Sequence, residues 1–183
     1  MTDRRLRFEA QALPHLDAAL NLARWLTRSR ADADDVVQEA MLRAFRAFDS
    51  VRGSDVKPWL LTIVRNCCMT FTSGERRRSR GVQPIDEAMA NKDNVLAVPL
   101  PDPEAAAIGA DEGAKLAALV QALPEEFRTV LVLREWEDLS YREIAEVTGM
   151  PIGTVMSRLA RARALLKDAW FDRVEGGVRH AVR

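Results

Sequence analysis

Thr154, Ser157, Arg158 and Arg161 carry hydroxyl and guanidinium groups at spacings of three and four residues, so a helix would gather them on one side. Hydroxyls and guanidinium forks hydrogen-bond guanine edges and phosphates. A short residue such as Gly153, just ahead of them, lets a helix backbone approach its target closely. That combination suits a helix lying in a DNA major groove. Other reactive groups are few. Cys67 and Cys68 are adjacent, and a trans peptide holds neighbouring Cα atoms near 3.8 Å, below the usual disulfide range of about 4.4–6.8 Å. They read as buried, reduced thiols. His15 and His180 lie far apart with no ligand-like spacing. With no Walker motif, metal-ligand cluster or nucleophile–base pairing, the expectation is a non-enzyme with no cofactor and no metal.

The element that must position the polar set is the stretch Leu139 to Lys167, LSYREIAEVTGMPIGTVMSRLARARALLK. Ser140 followed three residues later by Glu143 is a capping box that starts a helix. Gly149 stops it, and Pro151 suits the first turn of the next. This is a helix-turn-helix. At 100° per residue, Ile152, Val155, Met156, Leu159, Ala162 and Leu166 fall on a packing face opposite the polar set. The same pattern fits an αα-hairpin whose basic face is merely solvated.

The whole chain has 183 residues, 48% apolar and 30% charged, which indicates a soluble globular protein of one domain or two small ones. Basic and acidic side chains cancel at 27 each, but their distribution is uneven: 15 and 10 in residues 1–80, 5 and 14 in 81–153, 7 and 3 in 154–183. Two basic ends flanking an acidic middle suit two separate contacts with anionic surfaces. The start MTDRRLRFEAQALP lacks the apolar core of a secretory signal, and no run approaches the 18 apolar residues of a membrane span. A cytoplasmic protein without membrane insertion is expected.

Along the chain, Leu13, Leu16, Leu20 and Ala23 recur at helical spacing while Leu22, Trp25 and Leu26 fill another sector, so this helix should pack on more than one side. Asp32 or Asp34 is the expected N-cap of the next helix. Val37, Ala40, Met41, Ala44, Phe45 and Phe48 form its core stripe. Across from that stripe, Asp35, Gln38, Glu39 and Leu42 make a mixed surface able to dock a basic partner helix, or an ordinary solvated face with one Leu. After a loop, Asp49 to Lys57, a helix near Pro58 turns Leu60, Ile63, Val64, Cys67, Cys68 and Phe71 inward. Trp59, Thr62, Asn66 and Thr70 align on its other face, with Arg76, Arg77, Arg78 and Arg80 downstream. An aromatic, an amide and nearby cations fit an unpaired nucleic-acid strand. A core Trp59 with solvated arginines fits equally.

Residues 81–110 hold Pro84, Pro99, Pro101 and Pro103 and five acidic residues from Asp86 to Glu104, the composition of a flexible linker. Extended, such a segment reaches roughly 100 Å. Beyond it, Leu116, Leu119, Val120 and Leu123 mark one helix, and Pro124, Glu125 and Glu126 begin another containing Phe127, Val130, Leu131 and Leu133. The tail from Glu175 reads as frayed.

The segments DADDVVQEAMLRAFRAF, KPWLLTIVRN, the DPE at Asp102 to Glu104 and LPEEFRTVLVLREWEDLSYREIAEVTGMPIGTVMSRLARAR, in that order, resemble the extracytoplasmic-function sigma factors of bacterial RNA polymerase. The resemblance covers about Leu13 to Lys167. It implies an all-α fold of two small helical domains: a region-two bundle over 1–80, a linker over 81–110, a region-four helix-turn-helix domain over 111–175 and a tail over 176–183. It implies that Asp35, Gln38 and Glu39, with Leu42 beside them, bind core polymerase. Val51 and Arg52 of the loop, with Trp59, Thr62, Asn66, Arg76 and Arg77, would capture the melted minus-ten strand. Gly153, Thr154, Ser157, Arg158 and Arg161 would read the minus-thirty-five element of promoter DNA as duplex. The implied partners are core RNA polymerase, promoter DNA and an anti-sigma factor.

Relatives often place an aromatic residue where Val51 stands, an acidic one at Thr70 and lysine at Met156, whose angular placement turns it toward the core, so that one fewer phosphate contact and little loss of specificity are expected. The rival readings are a helix-turn-helix regulator that never joins polymerase, a thiol enzyme using Cys67 and Cys68, and a sigma-like decoy for anti-sigma proteins. The complete recognition helix argues against a decoy.

Overall fold

The computed structural model describes the backbone of residues 2–51, 55–81 and 106–180, and side chains within 3–49, 51, 55–74 and 112–172. Eight α-helices run along these segments: α1 (Thr2–Ala12), α2 (Leu16–Thr27), α3 (Arg30–Ala47), α4 (Val56–Gly81), α5 (Ala106–Ala122), α6 (Glu125–Glu135), α7 (Tyr141–Thr148) and α8 (Ile152–His180). Among the described residues there is no strand. The expected all-α architecture of two small helical units holds.

In the first unit α2, α3 and α4 pack on one another. As the two-sector pattern of α2 requires, Ala19 and Ala23 are buried together with Leu22, Trp25 and Leu26. The upstream part differs from expectation. Pro14 sits in a short 3-10 turn, Leu13–His15, that separates α1 from α2, and Leu13 is exposed. Proline has no N–H for the helical ladder, so α2 starts only after it. Arg28 adopts φ 63° and ends α2, leaving Ser29 extended. Ser29, not Asp32 or Asp34, is therefore the N-cap of α3, its Oγ accepting from Asp32 N at 3.3 Å. Val37, Ala40, Ala44 and Phe48 are buried as expected, whereas Met41 and Phe45 lie at the edge of the core. Phe8 of α1 packs edge-on against Phe45 and Phe48, with centroids 5.2 and 5.3 Å apart.

α4 buries Leu60, Leu61, Val64, Cys67 and Cys68. Leu61, absent from the expected face, is buried because α4 also packs against α7. Both thiols are free. Burial pushes the Cys67 pKa up despite the Arg43 guanidinium, and that of Cys68 up to about 12, the opposite of an activated nucleophile.

In the second unit α6 is buried nearly all round, Arg128 to Leu133 being inaccessible, because it packs against α2 as well as α7 and α8. Arg128 donates to the Gln121 and Leu123 carbonyls and so terminates α5. Residues 82–105 of the expected linker lie outside the described residues, and α5 begins at Ala106, inside its expected end. α8 continues through Glu175 to His180 instead of fraying. Gly176 and Gly177 weaken a helix but remove no hydrogen-bond donor from its ladder.

The two units touch. Trp25 and Trp136 pack with their rings tilted by 56° and centroids 5.2 Å apart, and Asn21 Nδ2 donates to Glu137 Oε1 at 2.8 Å.

Candidate nucleic-acid interface

The helix-turn-helix is fixed by local chemistry. Ser140 Oγ accepts from Glu143 N at 3.3 Å, and Glu143 Oε2 accepts from Ser140 N at 2.6 Å. Those bonds hold the Glu143 carboxyl below its usual range. Gly149 takes φ 69°, a left-handed value that a side chain would strain. Pro151 accepts from Thr154 N and Val155 N, starting α8. Ile144 and Val147 of α7 share a core with Val155, Leu159 and Ala162 of α8.

That packing leaves the outer face of α8 in solvent. Gly153, Ser157 and Arg161 are exposed there, and Thr154 is half-buried. Ser157 Oγ donates to the Thr154 carbonyl at 3.0 Å. Arg161 makes no ion pair among the described residues. Arg158 differs from its companions: half-buried, it pairs with Glu126 Oε2 at 2.8 Å and lies 2.8 Å from the Met150 sulfur. Two residues assigned to the packing face are misplaced. Met156 is 51% exposed and Ile152 45% exposed. The buried seam of α8 centres on Val155, Leu159 and Ala162, and Met156 and Ile152 lie on its solvent flank.

On α4, Trp59, Thr62, Asn66 and Thr70 form the expected row. Trp59 is half-buried with its ring against Phe48 at 6.3 Å, so it is neither a core residue nor a free platform. Thr62 and Thr70 turn their hydroxyls onto the carbonyls of Pro58 and Asn66. Asn66 is exposed, its Oδ1 accepting only a long 3.4 Å bond from Arg65. Val51 is half-buried. Arg52 and the side chains of Arg76 and Arg77 lie outside the described residues. Burial lowers the Arg65 pKa, Glu125 opposes this and Arg158 adds to it, so the cations of α4 and α8 lie within each other's field.

Asp35, Gln38, Glu39 and Leu42 are together on the exposed side of α3, Leu42 being 53% exposed. Glu39 is tied to Arg43 at 2.7 Å. Beside them runs an apolar groove of about 840 Å³ between α1, α2 and α3, whose lining includes Phe8, Leu13, Leu16, Leu20, Leu42 and Gln38. Sequence reasoning missed this groove. Its signal was the Leu13, Leu16, Leu20 series, read only as core.

Residues 13–78 match the family model of Sigma-70 region 2, and residues 114–166 that of Sigma-70 region 4. The ECF RNA polymerase sigma-E factor of Haemophilus influenzae is 36% identical over 149 residues, 78% of either chain. The RNA polymerase sigma-H factor of Pseudomonas aeruginosa is 34% identical over 165 residues, 88% of this chain and 85% of its own. Among solved structures, the sigma factor RpoE of Bartonella quintana, in complex with the anti-sigma factor NepR, aligns with a TM-score of 0.65 at 28% identity, covering 88% of this chain and 95% of that one.

Proposed function

The chain belongs to the extracytoplasmic-function sigma factors of bacterial RNA polymerase, and on that premise we propose that α8 reads the minus-thirty-five element as duplex while α4 holds the melted minus-ten strand. A sigma factor is a non-catalytic specificity subunit, so the polymerase supplies the chemistry and this chain supplies the choice of start site. The observation that carries the division of labour is the presence of two unlike surfaces on one chain. α8 offers a narrow exposed helix face held by a short turn, a shape for a major groove. α4 offers an indole edge and an exposed amide in one row, groups that stack on and hydrogen-bond an unstacked base.

Asp35, Gln38, Glu39 and Leu42 bind core polymerase: an exposed apolar side chain ringed by acidic and amide groups fits a basic helix. The groove beside them accepts an anti-sigma factor, as a ligand competing for Gln38 and Leu42. The protein works in the cytoplasm, where its polymerase and promoters are. A helix-turn-helix regulator acting apart from polymerase would leave the region-two match without a purpose.

Run-off transcription with purified core polymerase on a promoter library tests this reading. Initiation from a defined subset of templates is expected. Core enzyme that starts nowhere new in the presence of this chain rejects it.

A further inference from the structure

The outward face of α8 carries more hydrocarbon than a polar reader needs. Ile152 and Met156, one helical turn apart, are 45% and 51% exposed although both are large and apolar. They flank Gly153 and Ser157 on the side that the packing against α5, α6 and α7 leaves open. The cations are displaced from that patch. Arg158 is held by Glu126, and Arg163 by Glu135 at 2.6 Å, leaving Arg161 as the unpaired guanidinium among the described residues of this face. In a major groove, the one apolar feature a base pair presents is the C5-methyl of thymine.

We propose that Met156, supported by Ile152, is a specificity-determining residue that packs on a thymine methyl within the upstream promoter element. This rests on the assignment of α8 to duplex readout. The thioether chain, with three rotatable bonds, can lie along the groove floor and cover a methyl without any backbone adjustment. Lysine at this position would instead reach a phosphate and leave that base unread.

The test uses holoenzyme reconstituted with the full chain and duplexes selected by it from a random upstream library, each thymine then replaced singly by deoxyuridine, which lacks only the methyl. At one or two positions the replacement should weaken wild-type binding about three- to fivefold, the value of one buried methyl-sized group. Met156→Ala should bind the thymine duplex that much more weakly and be indifferent to the replacement. Met156→Lys should be equally indifferent, with binding that falls more steeply as salt rises. Because the Met156 side chain is exposed, neither variant removes a core contact. If uracil and thymine duplexes bind alike at every position while Arg161→Ala still weakens binding, the inference is overturned and duplex readout by α8 stands. If no substitution on α8 alters upstream binding, both are overturned.

Discussion

Lys57 and Glu137, eighty positions apart, join the two halves of the protein: Lys57 Nζ lies 3.3 Å from Glu137 Oε2 and donates to the Glu137 carbonyl at 2.7 Å. The Glu137 side chain is only 5% exposed and also accepts from Asn21. Lys57 closes the loop that we propose captures the melted strand, so on that reading the docked form ties down one end of the capturing segment. On the proposed reading the two promoter elements lie about 25 base pairs apart, or ~85 Å at 3.4 Å each, a span that favours an undocked form on promoter DNA.

Glu137→Ala should therefore shift the free protein toward an undocked form. The substitution removes the acceptor of the Asn21 amide and the ion pair with Lys57, while the Lys57 bond to the carbonyl of residue 137 remains, a cost of about 1–3 kcal/mol. The expected readings are a larger radius of gyration in small-angle scattering and a changed Trp25 and Trp136 emission, with each unit still helical by circular dichroism. Where docking competes with promoter engagement, apparent affinity for core polymerase and promoter rises, up to tenfold for each 1.4 kcal/mol of docking lost. A radius equal to wild type would show that this contact does not hold the units together.

Asn66→Ala removes an exposed amide whose only side-chain contact is long. Its cost to folding should be within about 0.5 kcal/mol. Upstream duplex binding should be unchanged, while permanganate footprinting should show open-complex formation slowed at least severalfold. An unchanged melting rate would remove Asn66 from strand capture.

The helix-turn-helix could be placed from spacing because its determinants are local: Ser140 with Glu143, then Gly149 and Pro151, all lie within twelve residues. Its outer face was harder. A helical wheel shows an apolar arc, but the width of the part that is covered depends on partner helices, and here the cover stops short of Met156 and Ile152. For the same reason the pattern of α4 alone does not place Leu61, since α7 is a second helix packed against α4. The salt bridge from Lys57 to Glu137 has no local signature at all. The groove beside α3 was hidden because α1, a helix of mostly charged and polar residues, contributes just one large buried side chain to the core, Phe8.

Leu42→Asp places a charge beside Asp35 and Glu39 on an exposed face. Folding should be little affected, since the side chain is already in solvent. If the face docks on core polymerase, loss of an apolar contact and burial of an unpaired carboxylate should weaken association by at least about 2 kcal/mol, roughly thirtyfold. Fluorescence anisotropy with labelled protein and purified core reads this directly. Binding equal to wild type would move the polymerase site off α3.

Ser140→Ala should destabilise the second unit by about 1 kcal/mol through loss of the N-cap, seen as a lower thermal midpoint at neutral pH. The other half of the capping box adds a pH signature. Because the folded state holds the Glu143 carboxyl below its ordinary range, its contribution is fully present above the unfolded carboxyl's pKa of about 4.3 and is lost as pH falls through the lower, folded value. Ser140 supplies the leading causes of that depression, so the difference in midpoint between wild type and Ser140→Ala should narrow as the pH is taken from 7 toward 3. Glu143→Gln keeps a hydrogen-bonding side chain without the titrating group and should leave a Ser140→Ala difference that is flat over the same range. A wild-type difference that stays constant down to pH 3 would mean that the carboxylate contributes no charge-dependent stability to the first helix of the helix-turn-helix.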